Sequence, residues 1–259
     1  MRPVVVGASS GRGRCIGVGL SKRGHDIALL ARRLERLEDA AAETGGAAVP
    51  IACDVVDADS CHEAVTAAAR ELGGIDSVVY TPAVSPLHYL TDTDVDTWRH
   101  VLDTNVVGAS LFTTAALPHL AESRGRAVYL SSVSASGPPW PGLGAYAVSK
   151  AALEKLVDAW SAEHPEMSFT RLVVGECAGG EGDSMTSLAS NWDLDLAGQL
   201  VPTWLERQYM TGAMIDVEDL VDSVEAIIRT GGSIRMPTVE VTPRPSPGGG
   251  DVLPEMPTD

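Results

Sequence analysis

Three short runs along the chain are apolar without interruption: Val4-Val5-Val6, Ile27-Ala28-Leu29-Leu30 and Leu172-Val173-Val174. A strand with one wet face alternates apolar and polar residues, whereas an unbroken run belongs to a strand covered on both faces. Together with similar β-rich runs they predict strands near Pro3–Gly7, Asp26–Ala31, Ala48–Asp54, Asp76–Thr81, Arg126–Ser132, Phe169–Gly175 and Thr238–Thr242. Between them lie longer stretches of helical periodicity, near Gly13–Arg23, Arg33–Thr44, Ser60–Leu72, Val95–Glu122, Ala145–Glu163 and Val217–Thr230. Strands alternating with helices are joined by right-handed crossovers that lay helices against a parallel sheet. The expected fold is therefore α/β, a doubly wound, mostly parallel sheet of about seven strands with helices on both faces.

Two stretches break the alternation. Glu181–Thr211 has no clear period and carries Trp192, Trp204 and Tyr209, and it reads as a mobile insertion or helical lid. Those aromatic residues either line a substrate pocket or pack the lid. Beyond Pro243, the residues Pro245, Pro247 and Gly248-Gly249-Gly250 have no apolar surface to bury, and a disordered tail is expected over residues 244–259. Residues 1–243 are expected to form one domain, with residues 181–211 as its lid.

Composition narrows the partners. With 259 residues and 44% hydrophobic content the chain can bury one sizeable core. Its 19 basic and 35 acidic residues leave a net charge of -16, which argues against nucleic acid and anionic membranes. No apolar run reaches the roughly 18 residues of a membrane span, and Met1-Arg2-Pro3 leads straight into a strand. Cys15, Cys53, Cys61 and Cys177 lack metal spacing; Cys53 and Cys61 could bridge, but a reduced cytoplasmic protein is the simpler expectation. The histidines form no close pair, so no metal site is expected, although His88 follows the fourth strand and could reach a substrate.

The chemistry gathers at strand ends. Gly7-Ala8-Ser9-Ser10-Gly11-Arg12-Gly13 follows the first strand and opens a helix. Small residues let the backbone approach a diphosphate, and the helix N-terminus offers N–H donors and positive potential. Where dinucleotide folds often place an acid for the ribose, this chain has Arg32 and Arg33. Guanidinium groups suit a 2′-phosphate, so NADP(H) is expected over NAD(H). Further on, Tyr146 and Lys150 stand one helical turn apart on one face. An ammonium there would lower the phenol pKa and ready it for proton transfer. Taken alone, the pair is equally an incidental aromatic beside a solvated lysine.

In this setting the chain resembles the short-chain dehydrogenase/reductase family, a single-domain Rossmann fold, from about Arg2 to Thr242. The glycine loop matches the family's Gly-x-x-x-Gly-x-Gly form, with Arg12 where isoleucine is usual. The resemblance implies that Asp54-Val55 contact the adenine and that Asn105 in Asn105-Val106-Val107-Gly108 supports a proton relay through a water near Lys150. It implies that Tyr146 exchanges the proton, that Lys150 holds the nicotinamide ribose, and that Ser132 binds the substrate oxygen. Val133 occupies the usual spacing from Tyr146, so Ser132 and Ser134 flank it; Ser132 is favoured because it ends a strand. Two segments depart from the pattern: Tyr80-Thr81-Pro82-Ala83 replaces Asn-Asn-Ala-Gly, with Thr81 and Ala83 still expected to line the cofactor pocket, and Gly175–Gly179 replaces a Pro-Gly. The implied activity is NADP(H)-dependent hydride transfer to or from a small or medium carbonyl or alcohol. A non-catalytic dinucleotide-binding sensor or assembly protein is the alternative, and an epimerase or dehydratase stands further off. Relatives pair through the helices carrying Asn105 and Tyr146, which implies a homodimer or homotetramer.

Overall fold

The computed structural model describes residues 1–179 and 189–244. The expected tail, past Arg244, and the first part of the expected lid lie outside the described residues. Seven parallel strands form one sheet: β1 (Pro3–Val6), β2 (Ala28–Ala31), β3 (Val49–Ala52), β4 (Ser77–Tyr80), β5 (Arg126–Ser132), β6 (Ser168–Val174) and β7 (Thr238–Val241). Their order is β3-β2-β1-β4-β5-β6-β7, so the chain reverses its direction of travel between β1 and β4. Every expected strand is present, within a residue or two of its expected ends.

Successive side chains sort to opposite faces, as the two-residue period of a strand requires. Val5, Leu29, Val128, Leu130 and Leu172 face α1 (Gly11–Lys22), α2 (Leu34–Ala42) and α9 (Val217–Ile228). Val4, Val6, Leu30, Val78, Tyr80 and Tyr129 face α3 (Ala58–Leu72), α5 (Gly108–Ser123) and α7 (Gly144–Glu163). Full burial of each such aliphatic side chain contributes about 1.5–3 kcal/mol, which is why the unbroken runs fall in the central strands. A smaller cluster of Leu87, Leu143, Ala197, Leu200 and Trp204 lies under α8 (Leu194–Glu206).

One expected helix is divided. The periodicity over Val95–Glu122 predicts a single helix, but α4 (Val95–Leu102) and α5 are joined by a π-helical turn over Asp103–Val107. A short α6 (Val133–Ser136) also follows β5. No helix among the described residues is long and apolar enough to cross a membrane.

Candidate active site

All the strands point the same way, so their C-terminal ends share one rim, where open α/β sheets bind ligands. A cleft of about 790 Å³ runs along it. At its centre β1 turns through Gly7, whose φ of +85° suits only glycine. A Cβ on Gly13 would lie 2.4 Å from the Gly7 carbonyl oxygen and 2.4 Å from Thr81 Oγ1, so α1 can start this close to β1 only with glycine there. Ser10 caps α1 without a side-chain hydrogen bond, and the first turn holds no acid. The N–H groups of that turn are thus aimed at the cleft with uncompensated positive potential, a cradle that fits a diphosphate.

Arg33 Nη2 donates to Ser9 Oγ and Ser10 Oγ, each at 3.0 Å, laying its guanidinium over the loop. Arg32 is exposed and also lines the cleft. On the other side Asp54 and Val55 border the same space; Asp54 Oδ1 accepts from Val56 N at 3.2 Å, which turns the chain into α3. Ser9, Gly11, Thr81 and Ala83 line the same cleft, as does Arg12, whose Nη2 donates to the Cys177 carbonyl.

The two segments that depart from the family pattern are well tied. Thr81 donates to the Val6 carbonyl twice, from N at 3.1 Å and from Oγ1 at 2.6 Å, clamping β4 to β1 beneath the glycine loop. Tyr80 Oη donates to the Thr104 carbonyl at 3.1 Å. In the other segment Gly175 N donates to Val241 O at 2.9 Å, and Glu176 O accepts from Ile215 N at 2.8 Å. The Glu176 carboxylate holds Thr211 through its N and Oγ1.

Asn105 sits in the π turn, fully buried, and bridges two elements. Its Oδ1 accepts from Val84 N at 2.8 Å, and its Nδ2 donates to Val84 O at 3.0 Å and Ser149 Oγ at 2.9 Å. Ser149 Oγ in turn donates to the Tyr146 carbonyl at 2.7 Å. Asn105 therefore fixes the loop after β4 to the helix that carries Tyr146 and Lys150. The extra residue of a π turn loosens local backbone pairing, and such turns cluster at functional sites.

Tyr146 and Lys150 both border the cleft from α7. Ser132 caps α6 at the end of β5, and its hydroxyl acts to lower the Tyr146 pKa. Ser134 is buried behind it, with the two serine oxygens 3.0 Å apart. The expected electrostatics differ in one respect. Lys150 was expected to depress the phenol pKa, but burial raises the Tyr146 pKa, opposed by the Arg12 guanidinium and then by the Ser132 hydrogen bond. Lys150 is only 2% exposed, and burial together with the Arg12 charge lowers its own pKa to about 7, against a smaller opposing pull from Glu154. Its Nζ donates to Leu130 O at 2.6 Å and lies 5.9 Å from the Tyr146 ring centroid. The positive charge acting on the phenol is thus Arg12, a residue expected as part of the cofactor-binding glycine loop, where it replaces the usual isoleucine.

The aromatic residues of the expected lid pack and are not among the residues lining the cleft. Trp204 is buried against Trp140, with Nε1 donating to Pro141 O at 2.9 Å, and Trp192 Nε1 donates to Ser85 O at 2.7 Å. Tyr209 stacks on Trp140. Ser190, Asn191 and Asp193 border the cleft instead, as does His88.

Comparison with known proteins agrees with this architecture. The sequence pattern of the short chain dehydrogenase family matches residues 3–185. A short chain dehydrogenase from Pseudocercospora fijiensis is 36% identical over 62% of this chain and 53% of its own length. Glycine betaine reductase of Emericella nidulans is 30% identical over 94% of this chain but 19% of its own, and 11-beta-hydroxysteroid dehydrogenase A of Sesamum indicum is 32% identical over 66% of this chain and 51% of its own. The matched region spans about half the length of the first and last of these relatives and less of the second. In fold, an alcohol dehydrogenase from Thermococcus sibiricus complexed with 5-hydroxy-NADP superposes with a TM-score of 0.75, at 22% identity over 92% of this chain and 94% of that one. Serine dehydrogenase from Escherichia coli superposes at 0.76, with 21% identity over 94% of this chain and 98% of that one. With most of its length matched by the family pattern, and with the glycine cradle, the switch between β1 and β4 and the Tyr146–Lys150 helix on one rim, the chain belongs to the short-chain dehydrogenase family of oxidoreductases.

Proposed function

We propose that the protein is an NADP(H)-dependent oxidoreductase that moves a hydride between nicotinamide and a small or medium carbonyl or alcohol. The observation that carries this reading is the convergence of Tyr146 and Lys150 on the cleft that begins at the Gly7–Gly13 cradle, with the Ser132 hydroxyl acting on the phenol. When bound, the dinucleotide supplies the hydride. The α1 N-terminus receives its diphosphate, and Arg32 and Arg33 take the 2′-phosphate where an acid would repel it. Asp54 and Val55 border the adenine.

Tyr146 holds its proton at neutral pH, since burial raises its pKa, and it therefore stands ready to donate to a substrate oxygen. Ser132 hydrogen-bonds the same oxygen and stabilises the charge that develops there. Lys150 stands beside the Tyr146 ring and would hold the nicotinamide ribose, and with a pKa near 7 it can both receive and release a proton. Asn105 keeps the helix and the β4 loop in register so that this relay is preserved. A homodimer or homotetramer built on the α4–α5 and α7 helices, in the cytoplasm, completes the proposal.

The test is NADPH and NADH oxidation over a carbonyl panel, with Tyr146→Phe and Arg32→Ala alongside the unaltered protein. Tyr146→Phe is expected to lower kcat by roughly 10²–10⁴-fold with NADPH affinity retained. Arg32→Ala is expected to narrow the NADPH-over-NADH preference by about tenfold. Tight NADPH binding without turnover of any substrate would instead establish a sensor, and full turnover by Tyr146→Phe would remove the proton role.

A further inference from the structure

Arg12 is set apart by what it lacks. Two residues on, Arg14 is fully employed, with Nε 3.0 Å from Glu43 Oε1 and Nη1 donating to Arg36 O at 2.9 Å. Arg12 donates from Nη2 to the Cys177 carbonyl at 3.3 Å and acts on the Cys177 thiol, whose pKa it lowers against burial, and it has no carboxylate partner among the described residues. That bond carries the side chain from the first turn of α1 across to the segment after β6, so the guanidinium spans the cleft. A guanidinium has five N–H donors in a planar fork, and here most have no protein acceptor. The Cys177 carbonyl it reaches lines the same cleft as Tyr146 and Lys150, and its charge is felt at both of them.

A half-buried cation with open donors in a protein of net charge -16 is costly to keep unless an anion completes it. Building on the oxidoreductase reading, we propose that Arg12 is the receptor for a carboxylate on the substrate, so that the protein acts on oxo or hydroxy acids bearing an anionic group close to the reacting carbon. A carboxylate docked bidentate on the guanidinium, with the neighbouring carbonyl oxygen on Tyr146 and Ser132, satisfies the fork and orients the substrate in one step. The same oxyanion chemistry could come from the diphosphate of the dinucleotide. The α1 N–H groups already serve that group, and the reach of Arg12 to Cys177 favours the substrate.

The experiment titrates malonate and malonamide into the full chain loaded with NADP⁺, by calorimetry, for the unaltered protein, Arg12→Met and Arg12→Lys. Malonate is expected to bind at least about tenfold more tightly than malonamide to the unaltered protein. In Arg12→Met that preference falls within about threefold while NADP⁺ affinity changes by less than about threefold, and Arg12→Lys keeps part of the preference. Equal binding of the two probes to the unaltered protein, or a preference that survives Arg12→Met, overturns the proposal. So does a loss of NADP⁺ affinity in Arg12→Met with the malonate preference intact, which assigns the guanidinium to the diphosphate. Because none of these readings needs turnover, inactivity across a carbonyl panel counts against the oxidoreductase reading alone.

Discussion

Lys150 shows most clearly how burial changes a side chain. The sequence places it one turn from Tyr146 but carries no signal of how deep the pair sits, and depth decides the outcome. A solvated ammonium would lower the phenol pKa; a buried amine near Arg12 gives up its own proton instead. The sign of the effect on stability follows. Between pH 7 and 9 the unfolded chain binds a proton at Lys150 that the folded protein increasingly lacks, so this residue's contribution to stability rises with pH. Relative to Lys150→Met, the unaltered protein is expected to gain about 2 kcal/mol over that window, read from urea unfolding at each pH. Parallel pH dependence in the two proteins would mean that the lysine stays charged in the fold.

At the level of elements, the strands were legible and the joints were not. Val4-Val5-Val6 and Leu172-Val173-Val174 announce buried strands because a two-sided cover leaves no place for a polar residue. The run from Val95 to Glu122 hides its π turn because one extra residue does not disturb helical periodicity over so short a distance. The lid aromatics were ambiguous for a related reason: a tryptophan packs or lines a pocket according to where its N–H finds an acceptor, and Ser85 O and Pro141 O are supplied by distant loops. Asn105 is the element-scale joint whose removal can be measured. Asn105→Ala deletes three hydrogen bonds and leaves the half-buried Val84 N–H and C=O without their partner. A loss of about 2–4 kcal/mol is expected in urea unfolding. A loss below about 0.5 kcal/mol would show that backbone pairing alone holds the turn.

For the whole molecule, parallel strands place every candidate group on a single rim, and the helix-to-strand turns occupy the other. One of those turns, Thr44 to Gly46 between α2 and β3, ends in two glycines at φ +70° and +80°, and a Cβ on either would meet nothing within 4 Å. Lengthening a surface loop costs only about 0.6 kcal/mol per doubling. A short glycine-serine insertion carrying a biotin-acceptor sequence at Gly45-Gly46 is therefore expected to leave NADPH affinity within about threefold of the unaltered protein. A larger loss would mean that strain at β3 travels through β2 to the glycine cradle. If the insertion is tolerated, the protein can be tethered to a solid support by this turn with the mouth of its cleft facing the bulk solution, an orientation that coupling through scattered surface amines would not give.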